Sequence, residues 1–238
     1  MATPYNLDVH TDCLRCSARS ERPFCNMSPE AVDALDAITF TSVYPKGSML
    51  FAEGEKPRGV FIICSGRVKL MTSSSEGKTL ILRIAEPGEV LGLSSAVADR
   101  AYEVSAETLE PCQINAVRRD DFVRFITEHV EACMHSAEQL SSAYNSAQRE
   151  IRNLGLSQTT GERLARLLLD WSAKGEKRKD GVRLQVLLTH EEIAEMIGTT
   201  RETVTRLLSD FKKKGILEIK GATFVIRKPE ALEAMVST

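Results

Sequence analysis

The segment Leu188–Leu217, "LTHEEIAEMIGTTRETVTRLLSDFKKKGIL", decides the fold. Its apolar residues recur at helical spacing in two blocks, which predicts two short amphipathic helices. The inward-facing positions are Ile193, Ala194 and Ile197 in the first helix, and Val204, Leu207, Leu208 and Phe211 in the second. Gly198 lies between the blocks and permits a sharp turn. This arrangement predicts a helix-turn-helix, and the strand pattern that follows, "GILEIKGATFVIRK", predicts a hairpin wing turning at Lys220-Gly221.

Both helices carry a start signal. Thr189 is followed three residues later by Glu192, and Thr199 is followed at the same spacing by Glu202. A threonine hydroxyl and a glutamate carboxylate at this spacing can satisfy each other's backbone N–H groups in a capping box. We therefore expect the two helices to begin at these threonines.

The second helix has a polar face that suits DNA. Arginine can donate two parallel hydrogen bonds to guanine, and a carboxylate can accept one from cytosine. Lysine near the helix end suits a phosphate. The residues expected to contact DNA are Thr200, Arg201, Glu202, Thr205, Arg206 and Lys212. Glu202 and Arg206 lie four residues apart, so the two side chains can also brace each other.

Residues 155–238 are predicted to form one DNA-binding domain. Before the helix-turn-helix, the pattern predicts an amphipathic helix in "GERLARLLLDWSAKG", a polar loop in "EKRKDG" and a strand in "VRLQVLL". This region has 15 Lys and Arg against 12 Asp and Glu, whereas the whole chain has a net charge of −2. A mildly basic C-terminal region is compatible with binding to nucleic acid.

Residues 30–119 are predicted to form a β-rich domain. Short aliphatic and β-branched runs fill positions 43–118, and glycines at 54, 66, 77 and 88 separate them. Turn signals at this regular spacing are typical of a β-sandwich or barrel.

Residues 120–154 are predicted to form one long helix with a narrow apolar seam. The main seam positions are Val130, Ala137, Leu140, Tyr144, Ala147 and Ile151, with Cys133 and Leu154 in register. Their alternating spacing of three and four residues is a heptad pattern. The seam either packs on its own barrel or forms a parallel dimer, and its narrowness and continuity favour the dimer.

The first 29 residues form a leader with an unusual cysteine spacing, Cys13-x2-Cys16-x8-Cys25. The chain of 238 residues has no apolar run of about 20 residues that would span a bilayer. Its N-terminus lacks the pattern of a signal peptide. We therefore expect a cytoplasmic protein without membrane contact, in which clustered cysteines favour metal or redox chemistry over a disulfide.

These motifs together resemble the Crp/Fnr family, the regulators related to the cyclic-AMP receptor protein and the fumarate-nitrate regulator. The stretches that carry the resemblance are "KGSMLFAEGEKPRGVFIICSGRVKL", "EPGEVLG", "TTGERLARLLL" and the helix-turn-helix segment. The resemblance implies an α+β fold with an N-terminal cyclic-nucleotide-binding-like β-roll, a long dimerisation helix and a C-terminal winged helix-turn-helix. It further implies a homodimeric transcription regulator, not an enzyme, that binds palindromic DNA and works with RNA polymerase.

The recognition helix matches both branches of the family in part. Arg201, Glu202 and Arg206 match the base-reading R-E-x-x-x-R of the cyclic-AMP branch. Glu202, Thr205 and Arg206 resemble the E-x-x-S-R of the fumarate-nitrate branch, with threonine in place of serine. The resemblance implies half-sites that share a G·C pair within a TG-A-like core.

The roll departs from the pattern of the cyclic-nucleotide binders. Leu93 follows Gly92 where the binders have glutamate, and "AYEVSA" lies where they have Arg-Ser/Thr-Ala. We therefore do not expect cyclic-AMP binding, although another small-molecule effector in the roll is an alternative signal.

The leader cysteines lie where the fumarate-nitrate branch holds a [4Fe–4S] cluster, so the chain is closer to that branch. The resemblance assigns Cys13, Cys16 and Cys25 to the cluster and leaves Cys112 as the candidate fourth ligand. The gap before the third cysteine is wider than is common in the branch. Alignment of the apolar residues places Asn115, not Cys112, at the fourth position, and an offset of three residues on a strand points to the opposite face.

Four alternatives to the cluster remain open. Zinc could use His10 with the three leader cysteines, neighbouring thiols could form a redox switch, or the leader could be a disordered arm with idle cysteines. The fourth alternative is a thiol oxidoreductase that uses Cys13 and Cys16, although such a motif normally opens a helix in a βαβ unit. Cys64 and Cys133 are interpreted as small buried apolar residues.

Overall fold

The chain divides into two compact units, Met1–Ser146 and Ala147–Thr238. The computed structural model describes residues 5, 7, 9, 10, 12–156, 159–178 and 180–236. Within these ranges, no helix combines the length and the apolar character needed to cross a membrane.

The first unit is a β-roll flanked by helices. Its described strands pair in two antiparallel sheets, with the orders β1-β8-β3-β6 and β2-β7-β4-β5. The elements are α1 (Pro29–Ala37), β1 (Thr39–Tyr44), β2 (Met49–Phe51), β3 (Gly59–Ser65), β4 (Val68–Ser73), β5 (Thr79–Ala85), β6 (Val90–Leu91), α2 (Leu93–Ala98), β7 (Ser105–Thr108), β8 (Cys112–Arg118), α3 (Arg119–Glu128) and α4 (Val130–Leu156).

The interior between the two sheets is filled by apolar side chains. Ile63 and Ile114 from one sheet pack with Phe51 from the other. The ring of Tyr102 stacks on Phe51 at 4.1 Å between centroids, and its hydroxyl donates to the backbone carbonyl of Gly59 at 2.8 Å. Because this buried hydroxyl has a partner, the tyrosine can fill the core without a desolvation penalty.

The other face of the sheet that contains β3 and β8 is covered by a second apolar cluster. Val60 and Ile62 of β3 contribute to it, since alternate residues of a strand point to opposite faces. Helices α1, α3 and α4 and the leader add further members, among them Val32, Leu35, Phe122, Phe125, Ala132, Phe24 and Met27. Strands β3 and β8 are therefore covered on both sides.

The second unit is a winged helix-turn-helix. Its elements are α5 (Thr160–Ala173), β9 (Glu176–Arg178), β10 (Gly181–Gln185), α6 (His190–Ile197), α7 (Arg201–Lys213), β11 (Leu217–Lys220), β12 (Thr223–Ile226) and α8 (Pro229–Val236). Its strands form an antiparallel sheet in the order β11-β12-β10-β9. Leu164, Leu168, Ile193, Leu208 and Phe211 are central to its core.

The predicted α+β class, with its β-roll and winged helix-turn-helix, is confirmed. The hairpin β11–β12 forms as predicted, although Lys220 pairs with Thr223 and its turn is therefore Gly221-Ala222. Strand β9 lies in the predicted polar loop "EKRKDG", and its residues are all exposed. A strand with no buried face has no apolar alternation, which is why the pattern missed it.

The helix predicted over 120–154 is two helices in the structure. The chain leaves the helical conformation at His129, which has φ −116° and ψ 102°. Phe122 and Phe125 bury α3 against the roll. Helix α4 continues to Leu156. The boundary between the two compact units follows Ser146 and therefore lies within this helix.

Gly66 is a position where a side chain cannot be accommodated. It has φ +81°, and a Cβ there would lie 2.5 Å from both the Cys112 Sγ and the Pro111 carbonyl oxygen. Gly77 has a similar φ of +79° but has no atom within 4 Å of a Cβ position. A substitution at Gly77 would therefore introduce backbone strain alone, whereas one at Gly66 would add steric overlap to the same strain.

We predict that Gly66→Ala lowers the free energy of unfolding by about 3 kcal/mol, because left-handed strain and overpacking add. Gly77→Ala should cost only about 1 kcal/mol, because strain acts alone. Urea denaturation of the two variants measures the difference, and equal losses would contradict the steric account.

Candidate functional site

The first helix of the helix-turn-helix begins as predicted. The Thr189 hydroxyl accepts from the Glu192 backbone N–H at 3.2 Å, and the Glu192 carboxylate accepts from the Thr189 backbone N–H at 2.8 Å. Gly198 ends α6 in the left-handed region at φ 62°. The turn therefore combines a reciprocal cap with the residue that best tolerates this conformation.

The second helix begins one residue later than predicted. Thr200, not Thr199, is the N-cap, and its hydroxyl accepts from the Thr203 backbone N–H at 3.3 Å. The Thr199 backbone N–H instead donates to the carbonyl of Ala194 at 3.0 Å, as part of the end of α6. The predicted box of Thr199 and Glu202 does not form, because Thr199 still belongs to the turn.

Helix α7 separates an apolar face from a polar face. Val204, Leu208 and Phe211 are buried in the core. All six residues predicted to contact DNA are exposed, namely Thr200, Arg201, Glu202, Thr205, Arg206 and Lys212. The described residues show no ion pair between Glu202 and Arg206, so the two side chains are not engaged with each other. One exposed face of α7 therefore presents both cationic and anionic groups.

His190 joins the two helices and is not among the residues that the sequence predicts. Its Nδ1 lies 2.9 Å from the Thr205 hydroxyl, and that hydroxyl also lies 2.9 Å from the Arg201 carbonyl. The hydroxyl donates to the carbonyl, so it can accept from a protonated Nδ1. His190 thereby positions Thr205 on the polar face. In the sequence, His190 directly follows the N-cap Thr189, and this position at the start of α6 is the signal that could have identified His190 as a contact between the two helices.

The leader is packed against the roll. Phe24 is buried and its ring lies 6.0 Å from that of Phe122. The Gln113 side chain holds the His10 backbone, accepting from its N–H at 2.8 Å and donating to its carbonyl at 2.5 Å. The Arg19 guanidinium donates to the Cys25 carbonyl at 3.2 Å. These contacts contradict the alternative of a disordered arm for the leader residues that the structure describes.

A pocket forms where the leader meets the sheet. Its lining residues are His10, Cys13, Cys16, Arg22, Cys25, Val32, Leu35, Ile62, Cys64 and Asn115. The structure therefore brings the three leader cysteines and the alternative ligand His10 to one pocket. A fourth thiol, from Cys64, lines the same pocket.

Cys112 is not brought to this pocket. It is fully buried in the cluster between the two sheets, and its thiol donates to the carbonyls of Glu110 and Arg67 at 3.2 and 3.4 Å. Asn115, three residues along β8, faces the pocket with its Nδ2 3.8 Å from the Cys13 Sγ. The expectation that Cys112 joins the leader cysteines is corrected, because residues at odd spacing on a strand point to opposite faces.

Cys64 also differs from its interpretation as a small buried apolar residue. It follows Val60 and Ile62 at alternate positions of β3, so it points to the same outer face as they do. The Cys64 thiol is partly exposed and faces the leader cysteines across the pocket.

Burial is the main cause of the raised pKa values of the Cys13, Cys25 and Cys64 thiols. It raises the pKa of Cys13 to about 12, with a smaller contribution from a hydrogen bond to Asp36. It raises the pKa of Cys64 to about 12, with Cys25 adding to the effect. The pKa of Cys25 is also raised by burial, and Arg22 only partly offsets this. The thiols are therefore protonated at neutral pH in this conformation.

The cysteine and histidine side chains line a pocket, but they are not arranged around a single point as metal ligands would be. Within the residues that the structure describes, no group of three or more His, Cys, Asp and Glu side chains is arranged to hold a metal ion. The chemistry of the donors nevertheless suits a soft metal or a cluster, because four thiols share one cavity and each becomes a strong ligand on losing its proton.

Helix α4 has two different faces. Ala132 and Ser136 are buried on the side that meets the roll. The opposite side carries the seam residues that lie seven or fourteen positions apart. Of these, Val130 is 75% exposed, Tyr144 is 65% exposed and Ile151 is 71% exposed. Ala137 and Ala147 are exposed as well, whereas Leu140 is half-buried and packs against the roll cluster. Most of the predicted seam is therefore unpaired apolar surface in a single chain.

Two family models match the chain. The cyclic nucleotide-binding domain matches residues 41–129, and the Crp-like helix-turn-helix domain matches residues 162–235. The first match covers most of the β-roll, and the second covers the recognition helix and the wing. Leu93, at the position that departs from the nucleotide-binding pattern, is buried in an apolar cluster.

Curated relatives and solved structures agree with these matches. The chain is 26% identical over 194 residues to the anaerobic regulatory protein of Bacillus subtilis, covering 81% of this chain and 82% of that protein. It is 28% identical over 210 residues to a CRP-like cAMP-activated global transcriptional regulator of Mycobacterium tuberculosis, covering 88% and 93%. A CooA mutant from Carboxydothermus hydrogenoformans superposes with a TM-score of 0.74 at 27% identity, covering 86% and 90%.

The first of these relatives is a regulatory protein and the second is a transcriptional regulator, and together they do not single out the fumarate-nitrate branch. The two matched domains follow each other in the order expected for such regulators. The chain belongs to the Crp/Fnr family of DNA-binding transcription regulators.

Proposed function

We propose that the protein is a homodimeric regulator that reads a palindromic DNA site with α7 and senses oxygen or redox state through an iron–sulfur cluster at the leader cysteines. The observation that carries the DNA-reading part is the exposed face of α7, with Arg201, Glu202 and Arg206. The observation that carries the sensing part is the pocket shared by the cysteine thiols.

Base reading depends on how α7 presents its charged groups. Arg206 and Arg201 can each donate two hydrogen bonds to a guanine, and Glu202 can accept from a cytosine amino group. Since Glu202 and Arg206 are not paired with each other, neither must break an internal ion pair to meet a base. Lys212, near the helix end, suits a phosphate.

Dimerisation through α4 would place two recognition helices on one face of DNA. The exposed seam residues Val130, Ala137, Tyr144 and Ile151 recur every seven residues, which matches one line of a coiled-coil contact. A dimer of this kind reads two half-sites about 34–36 Å apart, which is one turn of the double helix. Contact with RNA polymerase is part of the same proposal, by analogy with the family.

The leader cysteines Cys13, Cys16 and Cys25 would supply thiolates to a [4Fe–4S] cluster. Such a cluster supplies sensitivity to oxygen and to redox potential. The chain's own contribution is a pocket with apolar walls at Val32, Leu35 and Ile62, which limits the access of solvent.

Zinc is the second candidate for the same pocket. His10 lines it beside the three leader cysteines, and Cys3His is a known structural zinc set. A switch between neighbouring thiols would use the same residues without a metal. Metal analysis separates these possibilities.

Signal transmission requires a contact between the leader and α4. The Ser28 backbone N–H donates to the Glu131 carboxylate at 2.8 Å, which joins the end of the leader to the first turn of α4. The Gln139 side chain binds both backbone groups of Val90, at 3.0 Å to the N–H and 2.6 Å to the carbonyl. A change in the leader can therefore bias the position of the seam, and so shift the population of the DNA-binding state.

We predict that Arg206→Ala reduces discrimination at one G·C pair of the half-site by about 1–3 kcal/mol, because a bidentate base contact is lost. Binding to the palindrome and to single-base variants of it measures this loss. Lys213→Ala is the control, since an exposed lysine at the helix end should affect all sequences equally and lower the salt dependence. An Arg206→Ala loss that is equal on specific and random DNA would rule out a base contact.

We predict that Tyr144→Glu raises the dissociation constant of the dimer at least about tenfold, because it replaces apolar contact with a buried charge in each copy. Analytical ultracentrifugation measures the change. Ser142→Glu adds the same charge at an exposed position off the seam and should leave the dimer intact. Equal behaviour of the two variants would exclude this face as the interface.

We predict that the full-length protein, purified without oxygen, contains iron and acid-labile sulfide and absorbs visible light in the manner of an iron–sulfur protein. Elemental analysis and an anaerobic absorption spectrum test this. Stoichiometric zinc in the absence of iron would end the oxygen-sensor proposal.

A further inference from the structure

The geometry points to Cys64, and not Cys112, as the residue that completes the set of thiolates with Cys13, Cys16 and Cys25. This assignment rests on the proposed metal site and names its fourth ligand. Cys64 comes from strand β3, whereas the ligand implied by resemblance alone comes from β8.

Strand pairing places Cys64 at the pocket. Ile62 pairs with Asn115 across the β3–β8 ladder, and both residues line the pocket. Cys64 lies two residues after Ile62 on β3, and alternate residues of a strand share a face, so Cys64 points to the same side as Ile62.

All three leader thiols line the pocket that Cys64 lines. Cys112 is not among the residues that line it, because it is fully buried between the two sheets and its thiol donates to the carbonyls of Glu110 and Arg67. Cys64 thus belongs to the cysteine group, and Cys112 does not.

The position of Asn115 explains the change of strand. Family resemblance places the usual fourth cysteine there, and the Asn115 side chain does approach Cys13. Adjacent strands lie about 4.8 Å apart, so a thiol on β3 can reach the same pocket as a thiol on β8. The site keeps its location while the fourth thiolate comes from the neighbouring strand.

Two other side chains compete for the same role. His10 lines the pocket, and its backbone is held by Gln113. Asp36 contacts the Cys13 thiol and offers a carboxylate oxygen. A cluster usually takes thiolates, which favours Cys64 over both.

The test is anaerobic reconstitution of the full-length protein with ferrous iron and sulfide, followed by measurement of bound iron and acid-labile sulfide. Cys64→Ser should lower the retained cluster at least about tenfold, because a direct ligand matters at least as much as a residue behind one. Cys112→Ser is the matched control, since serine can keep the hydrogen bonds to the Glu110 and Arg67 carbonyls. It should load like the unsubstituted protein.

Alkylation provides a second readout that does not depend on the cluster's spectrum. Iodoacetamide labelling and mass spectrometry compare the loaded protein with protein stripped by a chelator. Cys64 should be protected by loading together with the leader cysteines. Cys112, which is fully buried inside the roll, should stay unlabelled in both states and serves as the negative control.

A gain-of-function variant protects the test from a folding artefact. Cys64→Ala should lose the cluster while keeping its circular dichroism and thermal unfolding. Adding Asn115→Cys to it should restore loading, because the new thiol enters the same pocket from the paired strand.

The outcomes separate the two proposals. Loading of Cys64→Ser at the level of the unsubstituted protein, or selective loss in His10→Ala or Asp36→Asn, would overturn the assignment and leave the cluster intact. Zinc binding that depends on Cys64 would support the assignment and overturn the oxygen sensor. An unsubstituted protein that binds neither iron nor zinc would overturn both.

Discussion

The antiparallel pairing of β3 with β8 is the interaction on which the first unit depends. Both strands are covered on two sides, so each residue must satisfy either the interior of the roll or the outer cluster. A shift of one residue in register would exchange these two sets and place apolar side chains against the wrong partners. The same alternation decides that Cys112 lies in the interior and that Asn115 faces the leader.

The outer cluster also explains how the described part of the leader is held in place although its only helices there are two short 3-10 turns, Arg19–Glu21 and Pro23–Cys25. Phe24 and Met27 enter the cluster formed by the helices and the sheet. Since burying such side chains contributes about 1.5–3 kcal/mol each, two of them and the backbone bonds of Gln113 can hold a short segment in place. The cysteines are positioned by these neighbours more than by their own interactions.

Much of the architecture is readable from local sequence pattern. The capping box at Thr189, the turn at Gly198 and the apolar face of α7 involve residues close in the chain, so spacing alone identifies them. The assignment of Cys64 is different, because it depends on which strands are neighbours and on where the leader packs, and no local pattern marks either. The break at His129 has a similar cause, since it depends on the packing of α3 on the roll.

The start of α7 at Arg201 has a consequence for how affinity is divided between main chain and side chains. The backbone N–H groups at the first positions of a helix have no acceptor within it, and they carry the positive end of the helix dipole. Those of Arg201 and Glu202 lie at the exposed start of the recognition helix. Such groups suit a phosphate oxygen, and among side-chain substitutions only proline removes them. The backbone of α7 can therefore bind the DNA phosphates without regard to base sequence. The side chains of α7 can then change which bases they recognise without the loss of this contact.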